Sequence, residues 1–181
     1  RKNTFNEIKF APKQSGSGFW KTVGKLRWLL ATIYVVACGI RGIWPRHDGD
    51  RQCFYDLPIS SVAIGRSLAT VAELSYCAQL CLALVCFTGK TGLANALFVA
   101  NFVAQTLCWY SVITQNQLGH TLEESIWLVT GVALTYVAAT TTVTSQRFTR
   151  DAVTLKQWMV VAGALYVVFM ALVDVPMYYN R

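Results

Sequence analysis

The chain is short of charge. Only 14% of its 181 residues are Asp, Glu, Lys or Arg, where a water-soluble domain carries about 25%. Such a deficit points to lipid as the solvent for much of the surface. Histidine is scarcer still, with two residues, and the H-x-x-E-E order at His120 differs from the paired Glu-x-x-His motifs of di-iron bundles. No G-x-G-x-x-G or P-loop pattern occurs, so no nucleotide partner is expected. No C-x-x-C pair is formed by the cysteines at 38, 53, 77, 81, 86 and 108. Five of them lie in apolar segments and read as small packing residues, including Cys77 and Cys81 on one helix face. Internal repeats and a broken-helix symmetry of the transporter kind are also missing.

What is present is apolar length. The composition is 54% hydrophobic and the mean hydropathy is +0.40. Five apolar stretches stand out, at about 28–44, 58–87, 93–113, 122–143 and 155–174. Crossing about 30 Å of hydrocarbon takes about 20 helical residues. The expected fold is therefore an all-α integral membrane bundle of five transmembrane helices, residues 27–181. It is preceded at 1–26 by a basic tail with a flexible Gln14–Gly18 linker and an amphipathic, interfacial turn in "FWKTVGKLRW".

Sixteen basic residues against nine acidic ones leave a net charge of +7. They cluster at segment ends instead of forming a stripe, which argues for topology signals and against a nucleic-acid partner. With the N-terminus inside, eleven Lys and Arg (seven within residues 1–27, then Lys90, Arg147, Arg150 and Lys156) fall on the inner side. Arg41, Arg46, Arg51 and Arg181 fall outside, and Arg66 lies within a span. This vote gives N-inside and C-outside. A basic, Met-less start (Arg1-Lys2-Asn3) is what a processed organellar precursor leaves. The expected location is therefore the mitochondrial inner membrane, with a bacterial inner membrane or another organelle as alternatives.

Two letters in "SVAIGRSLATVAELSYCAQLCLALVCF" do not belong in such a helix. Arg66 and Glu73 stand seven positions apart, two turns and about 10 Å along one face. The topology carries His120, Glu123, Glu124 and Asp174 to the same outer level. These six residues form an expected polar cluster, because a charge at the bilayer centre costs about 2.5–3.5 kcal/mol on insertion scales. Structural readings stand beside the functional one. Thr121 and Glu124 spell a capping box, T-x-x-E. Asp174 precedes Pro176 and would end the fifth helix. Arg66, beside Trp109 and Tyr110, is placed to hold a lipid headgroup. His120, Glu123, Glu73 and Asp174 supply the donors a metal would use. On the third span Ala96, Ala100 and Ala104 suggest a close-approach seam, with Asn101 and Gln105 as interhelical hydrogen bonders.

The function these features suggest is a small, non-catalytic accessory subunit of a larger, energy-transducing membrane complex. The alternatives are a proton- or lipid-handling protein and a metal-dependent membrane enzyme using the polar cluster. No cofactor is expected beyond a bound phospholipid. The partners would be membrane lipids and other membrane-protein subunits.

Overall fold

A computed structural model describes residues 17–44, 46–47, 52–53, 57–141 and 150–180, and it is an all-α bundle. The helices are α1 (Ser17–Ile43), α2 (Val62–Thr88), α3 (Thr91–Thr114), α4 (Gln117–Thr140), α5 (Arg150–Phe169) and α6 (Val175–Tyr179). Between α1 and α2, β1 (Arg46–His47) pairs antiparallel with β2 (Gln52–Cys53), and Pro58–Ser60 form a 3-10 turn. Five stretches are long and apolar enough to cross a membrane: Thr22–Ile43, Val62–Thr88, Thr91–Thr114, Gln117–Thr140 and Lys156–Tyr179.

Local chemistry sets the ends, and it moves several of them from where hydropathy put them. Pro58 opens the 3-10 turn, not the helix. α2 starts after Ser61, whose hydroxyl accepts from the Ile64 N–H at 3.4 Å. α4 begins five residues earlier than its apolar run, because Asn116 caps it by accepting from Leu118 N–H at 3.0 Å. Thr121 and Glu124 consequently lie inside the helix and make no capping box. The Thr121 hydroxyl instead donates to Gln117 O at 3.3 Å. The basic segment at 19–28 forms the first turns of α1. With no Pro or turn sequence to stop it, α1 continues through it into the first span. The linker reading of Gln14–Gly18 falls mostly outside the described residues.

The last span holds a second departure. Pro176 has no N–H, and its ring would collide with the carbonyl four residues back. The chain accommodates this by widening to a π turn at Met170–Asp174, in which Val175 N–H reaches Met170 O. The helix axis carries on into α6, so Asp174 does not terminate the helix. The turn keeps it beside α4.

Two-residue connections force neighbours to be antiparallel. Gly89 (φ 70°) closes α2, and Gln115 (φ 62°) closes α3 directly before the Asn116 cap. At the α3–α4 turn the backbones approach so closely that a Cβ on Gly119 would sit 2.6 Å from Leu107 O. Only glycine fits there. α1 packs on α2, α2 on α3, α3 on α4, and α4 also receives α5, the π turn and α6. α2 and α3 are the most enclosed spans, with 39% and 33% of their windows buried. α1 has 11% and the last span 6%.

The core has two compositions. Towards the α2–α3 turn, Cys77, Cys81, Leu84, Ala94, Leu97, Leu134 and Val137 form an apolar cluster with Trp127 and Met170. The two thiols pack there, with sulfurs 4.0 Å apart and Cys81 Sγ on Ala94 O at 3.3 Å. Towards the α3–α4 turn the interior is polar. The small-residue seam differs from the spacing expected: Ala94 and Ala104 are buried, but Ala96 is exposed. At the C-terminus of α4 the hydroxyls of Thr140 and Thr141 bond back to Tyr136 O (2.9 Å) and Val137 O (2.7 Å). Thr142 lies outside the described residues.

Candidate functional site

Arg66 sits one turn into α2 and points inward, with its side chain 9% exposed. Its Nη2 donates to Glu123 Oε1 at 2.9 Å and lies 3.6 Å from Glu73 Oε1. This direction follows from the helix period. Arg66, Ala69 and Ala72 occupy one buried stripe of α2, and the two alanines leave room for the guanidinium. Being committed to two carboxylates, Arg66 is turned away from the headgroup position that its sequence context suggests. Trp109 is held by α2, its indole N–H donating to Thr70 Oγ1 at 3.0 Å, and Tyr110 is exposed.

Glu123 is the hub of the cluster and is 2% exposed. Its second oxygen, Oε2, is 3.2 Å from His120 Nδ1, one turn earlier on α4. That nitrogen is in turn 3.5 Å from Cys108 Sγ on α3. Gln105, one turn before Cys108, donates through Nε2 to Glu73 Oε2 at 2.6 Å and to Glu123 Oε1 at 3.4 Å. Three helices therefore meet in one chain of polar contacts: Glu73, Arg66 and Gln105, then Glu123, His120 and Cys108. Glu73 is, with Arg66, one of the two charges out of place in the apolar α2 sequence. Its side chain is 28% exposed, and Glu123 takes the deeper position.

Glu124 points to a different side of α4, where its carboxyl lies near that of Asp174. The cluster of six thus divides into two groups back to back on α4. One is Arg66–Glu73–Glu123–His120 and the other is Glu124–Asp174. The His120 ring joins them loosely, lying 5.3 Å from the Tyr178 ring of α6.

The site has a floor. Tyr34 of α1 stacks on Tyr76 of α2 at 5.4 Å, and Tyr76 lies 6.4 Å from the Trp127 ring. Deeper still, Asn101 Nδ2 bridges Leu97 O (2.9 Å) and Thr130 Oγ1 (2.8 Å). At the other end, the Ser111 hydroxyl donates to Asn116 O and accepts from His120 N–H at 3.0 Å. That pair of bonds ties the first turn of α4 to the last turns of α3 and so sets where His120 stands.

Sequence reading passed over Cys108 as a packing residue. The available signal was its place across a short turn from His120, twelve positions on, but a two-residue connection is needed before that separation means contact. Cys108, His120 and Glu123 offer donor atoms that all lie within 4.8 Å of one another. Chemically, such a set can hold a proton or a divalent cation. No family model, curated protein or solved structure matches the chain.

Proposed function

We propose that this chain is a small polytopic membrane protein acting as a non-catalytic accessory subunit of a larger membrane complex. The observation that carries this reading is the lopsided enclosure of the bundle. α1 and the last span touch the rest of the protein along narrow faces. They leave Trp28, Leu29, Val35, Trp158, Leu165 and Leu172 more than half exposed. Apolar faces this wide suit either acyl chains or the helices of other subunits, and on α1 the basic segment 21–27 adjoins one of them. In this reading the Arg66–Glu123 contact serves to fix helix register, the best attested use of a buried ion pair.

The expected site is an organellar inner membrane, the mitochondrial one first, with the N-terminus on the inner side. The eleven-to-four distribution of Lys and Arg supports that orientation. Lipids then cover whatever part of the apolar faces the partners do not. Extraction in a mild detergent followed by native gel analysis tests the proposal. Co-migration with a larger assembly is expected, and a stable monomer as the sole native species would overturn it. Orientation is read separately, with Lys90→Cys and Gln115→Cys and an impermeant maleimide. Labelling of the second variant from the outer side is expected, and the reverse would invert the topology.

A second reading, proton handling, is favoured by one feature. Arg66 meets two carboxyls, those of Glu73 and Glu123, and on another side of α4 the carboxyls of Glu124 and Asp174 lie close together. Neighbouring carboxyls with a histidine close by are the usual material of an intramembrane relay.

A further inference from the structure

We propose that Cys108 Sγ, His120 Nδ1 and the Glu123 carboxylate form a three-ligand site for a zinc-class divalent cation, with a fourth position left for water. This goes beyond the structural role proposed above, which needs only the Arg66–Glu123 contact.

The first argument is geometric. The donors come from two helices locked in register by the Gln115–Asn116 turn, the close approach at Gly119 and the Ser111 hydrogen bonds. The sulfur–nitrogen separation is 3.5 Å and the nitrogen–oxygen separation 3.2 Å. A tetrahedral cation bonded at about 2.0–2.1 Å to nitrogen or oxygen and about 2.3 Å to sulfur spaces its donors at about 3.4–3.6 Å. The sulfur and the carboxylate oxygen lie within 4.8 Å of each other, so metal entry asks for rotation of these side chains and not for helix movement.

The second argument is chemical. A mixed thiolate, imidazole and carboxylate set suits zinc and its neighbours, whereas calcium and magnesium require oxygen ligands. The carboxylate is already oriented from behind. Arg66 and Gln105 hold Glu123 Oε1, which leaves Oε2 facing the histidine. Outer-shell support of this kind is typical of built metal sites. Gln105 Oε1 is buried and accepts no hydrogen bond, so an acceptor for a metal-bound water stands one turn from Cys108.

The third argument is charge. Isolated charge within a bilayer is expensive. A divalent cation balances the Cys108 thiolate and the Glu123 carboxylate, while Arg66 balances Glu73. Binding exchanges the Cys108 proton for the metal: the S–H bond breaks, an S–metal bond forms, and the proton leaves to solvent. No electron changes hands.

The purified full-length protein in detergent, stripped with chelator, is titrated with Co²⁺ and, separately, with Zn²⁺. The expected result is one equivalent of Co²⁺ with visible ligand-field bands and a near-ultraviolet thiolate-to-cobalt band. Cys108→Ser should abolish that second band and weaken binding by about 100-fold or more, beyond the usual outer-shell loss. Cys81→Ser, at the buried thiol of the apolar end, should change neither. Calorimetry of the unmutated protein in two buffers gives a readout independent of variant folding, and about one proton per Zn²⁺ is expected to leave. Absence of stoichiometric binding, binding without proton release, or a thiolate band that survives in Cys108→Ser would each overturn the proposal.

Discussion

The two ends of this core solve the same burial problem with opposite chemistry. At the α2–α3 end, thiols, leucines and alanines interlock with almost no polar atoms. At the α3–α4 end, Arg66, Glu123, Gln105 and His120 fill a comparable space with charged and amide groups. In lipid, the apolar end gains only what better packing supplies, since acyl chains are as apolar as leucine. The polar end has no such neutral alternative. Each charged group there must find its partner or remain unpaired in hydrocarbon. The difference teaches where specificity comes from: the apolar end tolerates small repacking, and the polar end admits one arrangement.

The sharpest way to break this contrast is to unpair the polar end. Arg66→Met should cost about 3–5 kcal/mol, because it leaves Glu123 buried without its cation. Arg66→Met combined with Glu123→Leu should recover most of that loss. Reversible unfolding in mixed lipid–detergent micelles measures both. A double variant no more stable than the single one would mean that the pair does more than neutralise itself.

At the other end, Leu84→Ala opens a cavity within the apolar cluster, near Leu134 and Val137. The expected loss is about 2 kcal/mol, the low end for a leucine-to-alanine change, because transfer from water contributes little when the reference state is lipid. The same unfolding assay applies, and a loss as large as that of Arg66→Met would erase the contrast.

The smallest effect should come from between the two ends. Thr130→Val removes the hydroxyl that receives the Asn101 amide at 2.8 Å. Interhelical hydrogen bonds in bilayers average about 0.6 kcal/mol, and Asn101 keeps its bond to Leu97 O. A change well above that figure would extend the polar network past the aromatic floor of Tyr76 and Trp127.

Much of the architecture was legible because hydropathy and charge act over whole segments. Each of the five apolar runs became a helix, and the odd pair Arg66 and Glu73 did share a face. The boundaries were less legible, because they depend on single atoms. Asn116 in place of Thr121 caps α4, and Pro176 widens a turn instead of ending a helix. The site was read in outline only. Glu73 stands out in the sequence as an acid well inside an apolar run. Depth along a helix says nothing about which neighbour covers it, and Glu123 proved the more enclosed acid. Glu124, adjacent in sequence, points about 100° away around α4 and joins Asp174 instead.

By itself the sequence determined that the chain forms five apolar helices, and that a handful of ionisable groups share one end of them. Those results follow from the cost of exposing backbone and charge to lipid, which is additive along a segment. The tertiary structure alone decided that Glu123 bridges Arg66 and His120, that Cys108 stands against His120, and that Glu124 turns to Asp174. Such contacts depend on the relative rotation and register of helices. Here those are set by a two-residue turn, a glycine without room for a methyl group, and a π turn at Met170–Asp174.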